Sequence, residues 1–491
     1  MRRAREQEID HLYRRAGFGA SQEEIDEYTR FSLASYAASV ARLLHYSETP
    51  DEVDSWIGVP GYVGVTGRSG SGFQPATNIL DARQRWLFRM VHTRRPLQEK
   101  MALFWHNHFA TAYSKVVGEV GDSALATRMF AAKPEDDSSA TTGQLEVFRE
   151  YALGNFRDLL VAMAKDPAML FWLDGRTNVR NRPQENFARE LMELFTLGVG
   201  RFEETDVYAG ARVFTGWNLA FLNRNTPQAR YEFAYNGNQH DLAAKEFSFP
   251  IYRDGGRVIP ARSAGEGMQD GLDLIDAVAR HPDTGPRLAR KLYAYFVNEV
   301  DTPDQSLIDS LSRSYYSTGF EILPMVRQLL LSSQFRDPSN YYKRYSWPVE
   351  FVARSIKEVG WRGFTVNSAL TPLVNMGQQL FEPPDVNGWE LGPGWFSSGS
   401  MLARMNFAAV LATNQRFNLR DLVRGQVDSP DSLLSFMLDR LTPPEFASDA
   451  QSALSGYAVS GGAWTGSDTQ LAAKSSGLAH LITGSGEYQL V

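Results

Sequence analysis

The sequence predicts a mainly α-helical globular assembly with one small inserted β-hairpin, and three observations predict it. Apolar residues recur at helical spacing through most of the chain. Two-residue alternation is convincing only within residues 229–260, where Tyr231, Phe233 and Tyr235 are followed by Phe247, Phe249 and Ile251. Hydrophobic residues at 43% and aromatic residues at 12% suffice for a packed interior and exclude wholesale disorder.

Taken in order, the helical pattern covers about Ile9–Ala16, Gln22–Tyr46, Asn78–His92 and Pro96–Phe109. It resumes at Gln144–Tyr151, Arg157–Lys165, Gln184–Leu197 and Asp206–Phe214. The second half carries Gly265–Arg280, Gly285–Asn298, Asp304–Thr318, Ile322–Ser332, Pro348–Glu358 and Ser400–Thr413, and the tail adds Ser429–Leu441 and Asp468–Ile482. Residues 58–77, rich in Gly, Ser and Pro, read as a long loop. A chain of 491 residues exceeds one simple core. It reads as a single helical unit over 1–491, with sub-units at 1–228, 229–260 (the hairpin) and 261–491.

Composition narrows the chemistry. A formal net charge of −7 opposes general nucleic-acid binding, which needs a basic face, and Arg94-Arg95-Pro96 is too short to supply one. The absence of cysteine removes disulfides, thiolate nucleophiles, iron–sulfur clusters and thiolate zinc sites. Any metal must then use histidine, carboxylate or carbonyl ligands, and there are only 8 histidines. The basic start, Met1 to Glu8, is not followed by an apolar segment, and no stretch reaches the roughly 18 apolar residues of a membrane span. As written, the chain reads as cytoplasmic.

Four segments can carry chemistry. In Phe104-Trp105-His106-Asn107-His108-Phe109, helical spacing turns His108 toward the core with Met101, Phe104, Trp105 and Phe109, and turns His106 away. The pair serves either as metal ligands or as hydrogen-bonded structural residues. In Glu185 to Phe195, the residues Asn186, Arg189, Glu190 and Glu193 form a polar stripe opposite Phe187, Leu191, Leu194 and Phe195. Two carboxylates there suit a hard cation or acid–base work, and the plain alternative is a solvated face with an Arg189–Glu193 ion pair. His240-Asp241 with Lys245 lies in or beside the hairpin, as a surface step or an outer ligand. Finally, Glu382-Pro383-Pro384-Asp385-Val386-Asn387-Gly388-Trp389 with Gly392 to Trp395 demands a rigid loop. Its tryptophans either stack on a sugar or pin the loop to the body. No phosphate-binding loop, dinucleotide fingerprint, H-E-x-x-H or G-x-S-x-G is present.

In this order the segments resemble the bacterial family called domain of unknown function 1800. The likeness begins at His11-Leu12-Tyr13-Arg14-Arg15-Ala16-Gly17-Phe18-Gly19. It continues through Phe104–Phe109, Pro183–Gly198, Phe214-Thr215-Gly216-Trp217, His240-Asp241, Pro383–Trp389 and Phe396–Ser400. Gln184 replaces the usual Asn, Tyr345-Ser346-Trp347 lengthens the segment before Pro348, and the glycines usual around Lys245 are missing. The resemblance implies no established activity. It implies a partner similar to sulfatases, from the family domain of unknown function 1501, action on an exported or envelope polymer, and export together with that partner.

The enzyme reading joins His106 or His108 to Glu185, Glu190 or Glu193 around a divalent metal, with His240 and Asp385 as outer candidates, Glu190, Glu193 and Arg189 as catalytic groups, and a histidine-ligated haem left open. Asp385, Asn387, Trp389 and Trp395 are the expected substrate contacts. The alternatives are a non-catalytic scaffold or partner of the sulfatase-like protein, and a carbohydrate-binding module using the two tryptophans.

Overall fold

The computed structural model describes residues 4–31, 35–67, 72–442 and 444–491. The chain is 58% helical, and strand is confined, among the described residues, to two short antiparallel pairs. No helix among them is long and apolar enough to cross a membrane.

Capping chemistry sets the helix ends. Asn78 accepts from Leu80 N and Asp81 N to open Ile79–His92, and Pro96 begins Pro96–His108 where its missing N–H is not needed. Ser35 accepts from Ala38 N and starts Tyr36–Leu44, so the single helix expected over Gln22–Tyr46 is two: Gln22–Phe31 and Tyr36–Leu44. Positions 32–34 between them lie outside the described residues, as do 68–71 of the expected long loop. Helices at Tyr113–Val120, Ser123–Ala131, Pro167–Trp172, Asn367–Asn375, Arg416–Val423 and Ser448–Val459 escape the sequence reading. They are short, and some carry Gly or Pro inside the helix.

The hairpin begins upstream of its expected place. Trp217–Leu222 pairs with Arg230–Tyr235, with Trp217 opposite Tyr235 and Leu222 opposite Arg230. The first strand is hidden in the sequence because Leu219-Ala220-Phe221-Leu222 is a continuous apolar run without alternation. Within the expected span, Lys245–Glu246 and Val258–Ile259 form a second, two-residue ladder.

One cluster of buried apolar side chains extends from Ile9 to Tyr488. Two helices have no solvent face. Every residue of Pro348–Val359 is buried, and this helix packs against Ile79–His92, Asn367–Asn375, Ser398–Asn414 and Pro430–Leu441. Pro96–His108 is buried everywhere except Asn107, so His106 is not turned toward solvent as its spacing suggested. The polar stripe of Pro96–His108 meets other buried polar groups instead of water.

Glu99 shows how. Its carboxylate accepts from Arg89 Nε at 2.6 Å, Arg149 Nε at 2.9 Å, Arg149 Nη2 at 3.0 Å and Trp86 Nε1 at 3.1 Å. Burial pushes its pKa up, but the Arg149 and Arg89 charges bring it below the ordinary glutamate range. Replacing Glu99→Ala strands two buried guanidiniums without this counter-charge. Urea unfolding should register a loss of about 3–5 kcal/mol; a loss under about 1 kcal/mol would show that the triad contributes little.

Candidate functional site

The first and fourth polar segments meet at the end of Pro96–His108. Asn107 Oδ1 accepts from Trp389 N at 2.6 Å, and its Nδ2 donates to Trp389 O at 3.2 Å. Gly388 has φ +81°, and a Cβ there would stand 2.3 Å from Asn107 Oδ1, so glycine is required by both conformation and space. His106 Nε2 accepts from Phe381 N at 3.3 Å, with its ring among those of Trp86, Phe381 and Trp389. Burial holds the His106 pKa down at about 3, so the imidazole is neutral.

His108 ties the first segment to the second. Its Nε2 lies 3.0 Å from Phe195 O and its Nδ1 lies 2.9 Å from Lys291 Nζ. A carbonyl can only accept, so Nε2 carries the proton and Nδ1 accepts from the lysine. Arg287, one helical turn before Lys291 on Thr284–Phe296, donates through Nη2 to Leu194 O at 3.2 Å. Together these side chains cover carbonyls at the end of a helix that starts as α over Asn186–Glu190 and widens to π over Leu191–Thr196. Leu197 N reaches back five residues to Met192 O at 2.8 Å. Such π-turns recur at functional sites.

The wide turn changes the pairing. Glu193 swings away from Arg189, and its charge acts on Arg287 instead. Arg189 binds Glu204 at 2.7 and 2.9 Å and Glu185 at 3.3 Å, which corrects the expected Arg189–Glu193 pair. Burial pushes Glu190 up to about 7, aided by the Glu193 charge and opposed by Arg189. Burial also lowers Lys291 to about 7, with Arg287 adding to the shift. His108 is driven well below the ordinary histidine value by burial, then by Lys291 and Arg287.

The remaining expected residues lie elsewhere or do other work. His240 is fully buried in a separate network, with Nδ1 2.8 Å from Thr215 O and Nε2 3.1 Å from Asp270 Oδ2. Asp241 binds Arg212 at 2.8 and 3.1 Å, and Lys245 reaches Asp270. Among the described residues no group of three or more His, Asp or Glu side chains could hold a metal ion. The structure thus does not assemble His106, His108, Glu185 and His240 as one ligand set. Trp389 and Trp395 are buried, which is the loop-pinning alternative, whereas Asp385 and Asn387 are exposed. Asp385 Oδ1 accepts from Asn387 N at 2.8 Å and so shapes the loop. Sequence reading missed Lys291 and Arg287, because an i, i+4 pair of cations beside an apolar stripe looks like any solvated helix face.

Fold and junction define a mainly helical protein in which segments distant in sequence meet around one neutral, doubly hydrogen-bonded histidine. The family described as protein of unknown function (DUF1800) matches residues 11–490, and the chain belongs to that family. No curated protein and no solved structure matches it.

Gly388→Ala should lower stability by about 1–3 kcal/mol in denaturant titration. Adding Asn107→Ala removes the amide part of the clash and leaves the Asn107 main-chain oxygen at 2.5 Å, so the double variant should lose somewhat less than the sum of the two single losses. Strict additivity would show that the Asn107 amide adds nothing to the clash.

Proposed function

We propose that the chain is an enzyme whose acid–base site is built on Lys291, oriented by His108, with Glu190 and Glu193 as its carboxyl groups. The Lys291–His108 contact carries the reading. Phe195 O fixes the imidazole tautomer, so Nδ1 can take one amine N–H and leave the Nζ lone pair for a substrate proton. A lysine near pH 7 is suited to accept that proton, and a carboxyl near pH 7 is suited to return one to a leaving oxygen. Arg287 and Arg189 supply cationic charge, and Asp385 and Asn387, on the loop seated by Asn107, face the substrate. Hydrolysis of an exported or envelope polymer beside a sulfatase-like partner belongs to the same proposal and rests on the family resemblance alone.

The scaffold reading has its own support, because Asn107, His106 and His240 all act as packing clamps. Amine acylation followed by peptide mass spectrometry separates the two. Lys291 should label with a midpoint near pH 7, against about 10.4 for an ordinary lysine. An ordinary midpoint would favour the scaffold.

Stability gives an independent check. A lysine with a lowered folded pKa binds fewer protons than the unfolded chain between about pH 7 and 10.5. Its contribution to stability therefore rises with pH across that window. Lys291→Met should remove this rise while leaving circular dichroism unchanged, and an unaltered pH profile would contradict the proposal.

A further inference from the structure

A second cluster of polar groups lies away from the Lys291 junction, around the segment leading into Pro348–Val359. Arg344, Trp347, Gln378 and Arg404 are fully buried and Trp395 is nearly so. Their Arg344 Nε and Nη2, Arg404 Nε, Trp347 Nε1, Trp395 Nε1 and Gln378 Nε2 atoms have no acceptor among the described residues. All are donors. The side chains are neighbours: the two indoles lie 5.9 Å apart and the Arg344 guanidinium lies 5.6 Å from the Trp347 ring. Arg404 Nη2 donates to Ser346 O at 2.9 Å, and Gln378 Oε1 accepts from Val349 N at 2.9 Å.

The acceptors nearby are already used. Arg344 and Arg404 are buried guanidiniums, burial lowers Lys100 beside them to about 7, and the carboxylates facing the three are Glu350 and Glu299. Glu350 is already occupied by Lys100, by Arg344 Nη1 at 2.7 Å and by Trp347 N at 2.9 Å. Among the described residues, Glu299 Oε2 also lacks a donor, but the unpartnered donors outnumber it. Arg15 lies beside them, held by the main-chain oxygens of Phe296, Val297 and Val491. Buried donors and charges without partners are costly, and proteins relieve that cost with a bound ion or water.

We propose that Arg344, Trp347, Gln378, Trp395 and Arg404 form an internal binding site for a small monovalent anion, a halide such as chloride. Indole and guanidinium N–H groups suit a weakly hydrated spherical anion. A halide would accept from the unpartnered donors of the two arginines and the two indoles, and the surrounding Phe351, Phe396 and Tyr295 rings keep the region apolar.

Thermal unfolding of the full chain tests this, with sodium gluconate replaced stepwise by sodium chloride or bromide at constant ionic strength. The midpoint should rise saturably, by a few degrees at about a hundredfold excess over the dissociation constant. Trp347→Phe or Trp395→Phe keeps a ring but deletes one donor, and should raise the half-saturating bromide concentration about tenfold. If either variant fails to fold, chloride NMR line broadening by the unaltered protein, reversed by bromide, provides the second measurement. The proposal is overturned if the midpoint ignores halide at constant ionic strength, if sulfate alone raises it, or if the phenylalanine variants respond like the parent.

Discussion

Pro96–His108 is buried at every residue but Asn107, so nearly all the polar groups it carries must find partners inside the protein. Glu99 gathers Arg89 and Arg149. Lys100 meets Glu350, which also holds Arg344. His106 takes the Phe381 amide, Asn107 takes both main-chain groups of Trp389, and His108 reaches Phe195 and Lys291. One helix thereby fixes the positions of segments from five distant parts of the chain, around Arg149, Phe195, Lys291, Glu350 and Trp389.

How much of this was legible depends on which physical rule governed each residue. Helical periodicity identified most helices because their apolar faces do meet the core. The same rule failed at His106, since it assigns polar residues to solvent, and Pro96–His108 has no solvent side. The identity of the polar segments was readable, and Asn107–Trp389 and His108–Phe195 do bring three of them together. Their chemistry was not. A π-turn follows Glu190, and nothing in Leu191-Met192-Glu193 signals a five-residue hydrogen bond. Lys291 carries no motif at all, and its altered basicity comes wholly from its surroundings.

Ion pairs buried this deeply are weak sources of net stability but severe penalties when broken. Their distribution here joins chain ends to chain middle: Arg354 pairs with Glu358, whose other oxygen takes the Tyr488 hydroxyl at 2.7 Å. Arg404 Nη1 reaches Gln489 Oε1 at 3.0 Å. Misregistered packing would leave such charges stranded, so these groups favour a single arrangement of the long helical segments.

Asn107 recognises the main chain of Trp389 and the missing side chain of Gly388, and it makes no demand on the identity of residues 385–387. The loop is therefore anchored through its main chain, and its tip is shaped separately. Asp385 bonds to the Asn387 amide and Val386 packs against the core, so a change at the tip would alter the form of the loop while leaving its anchorage to the helix in place.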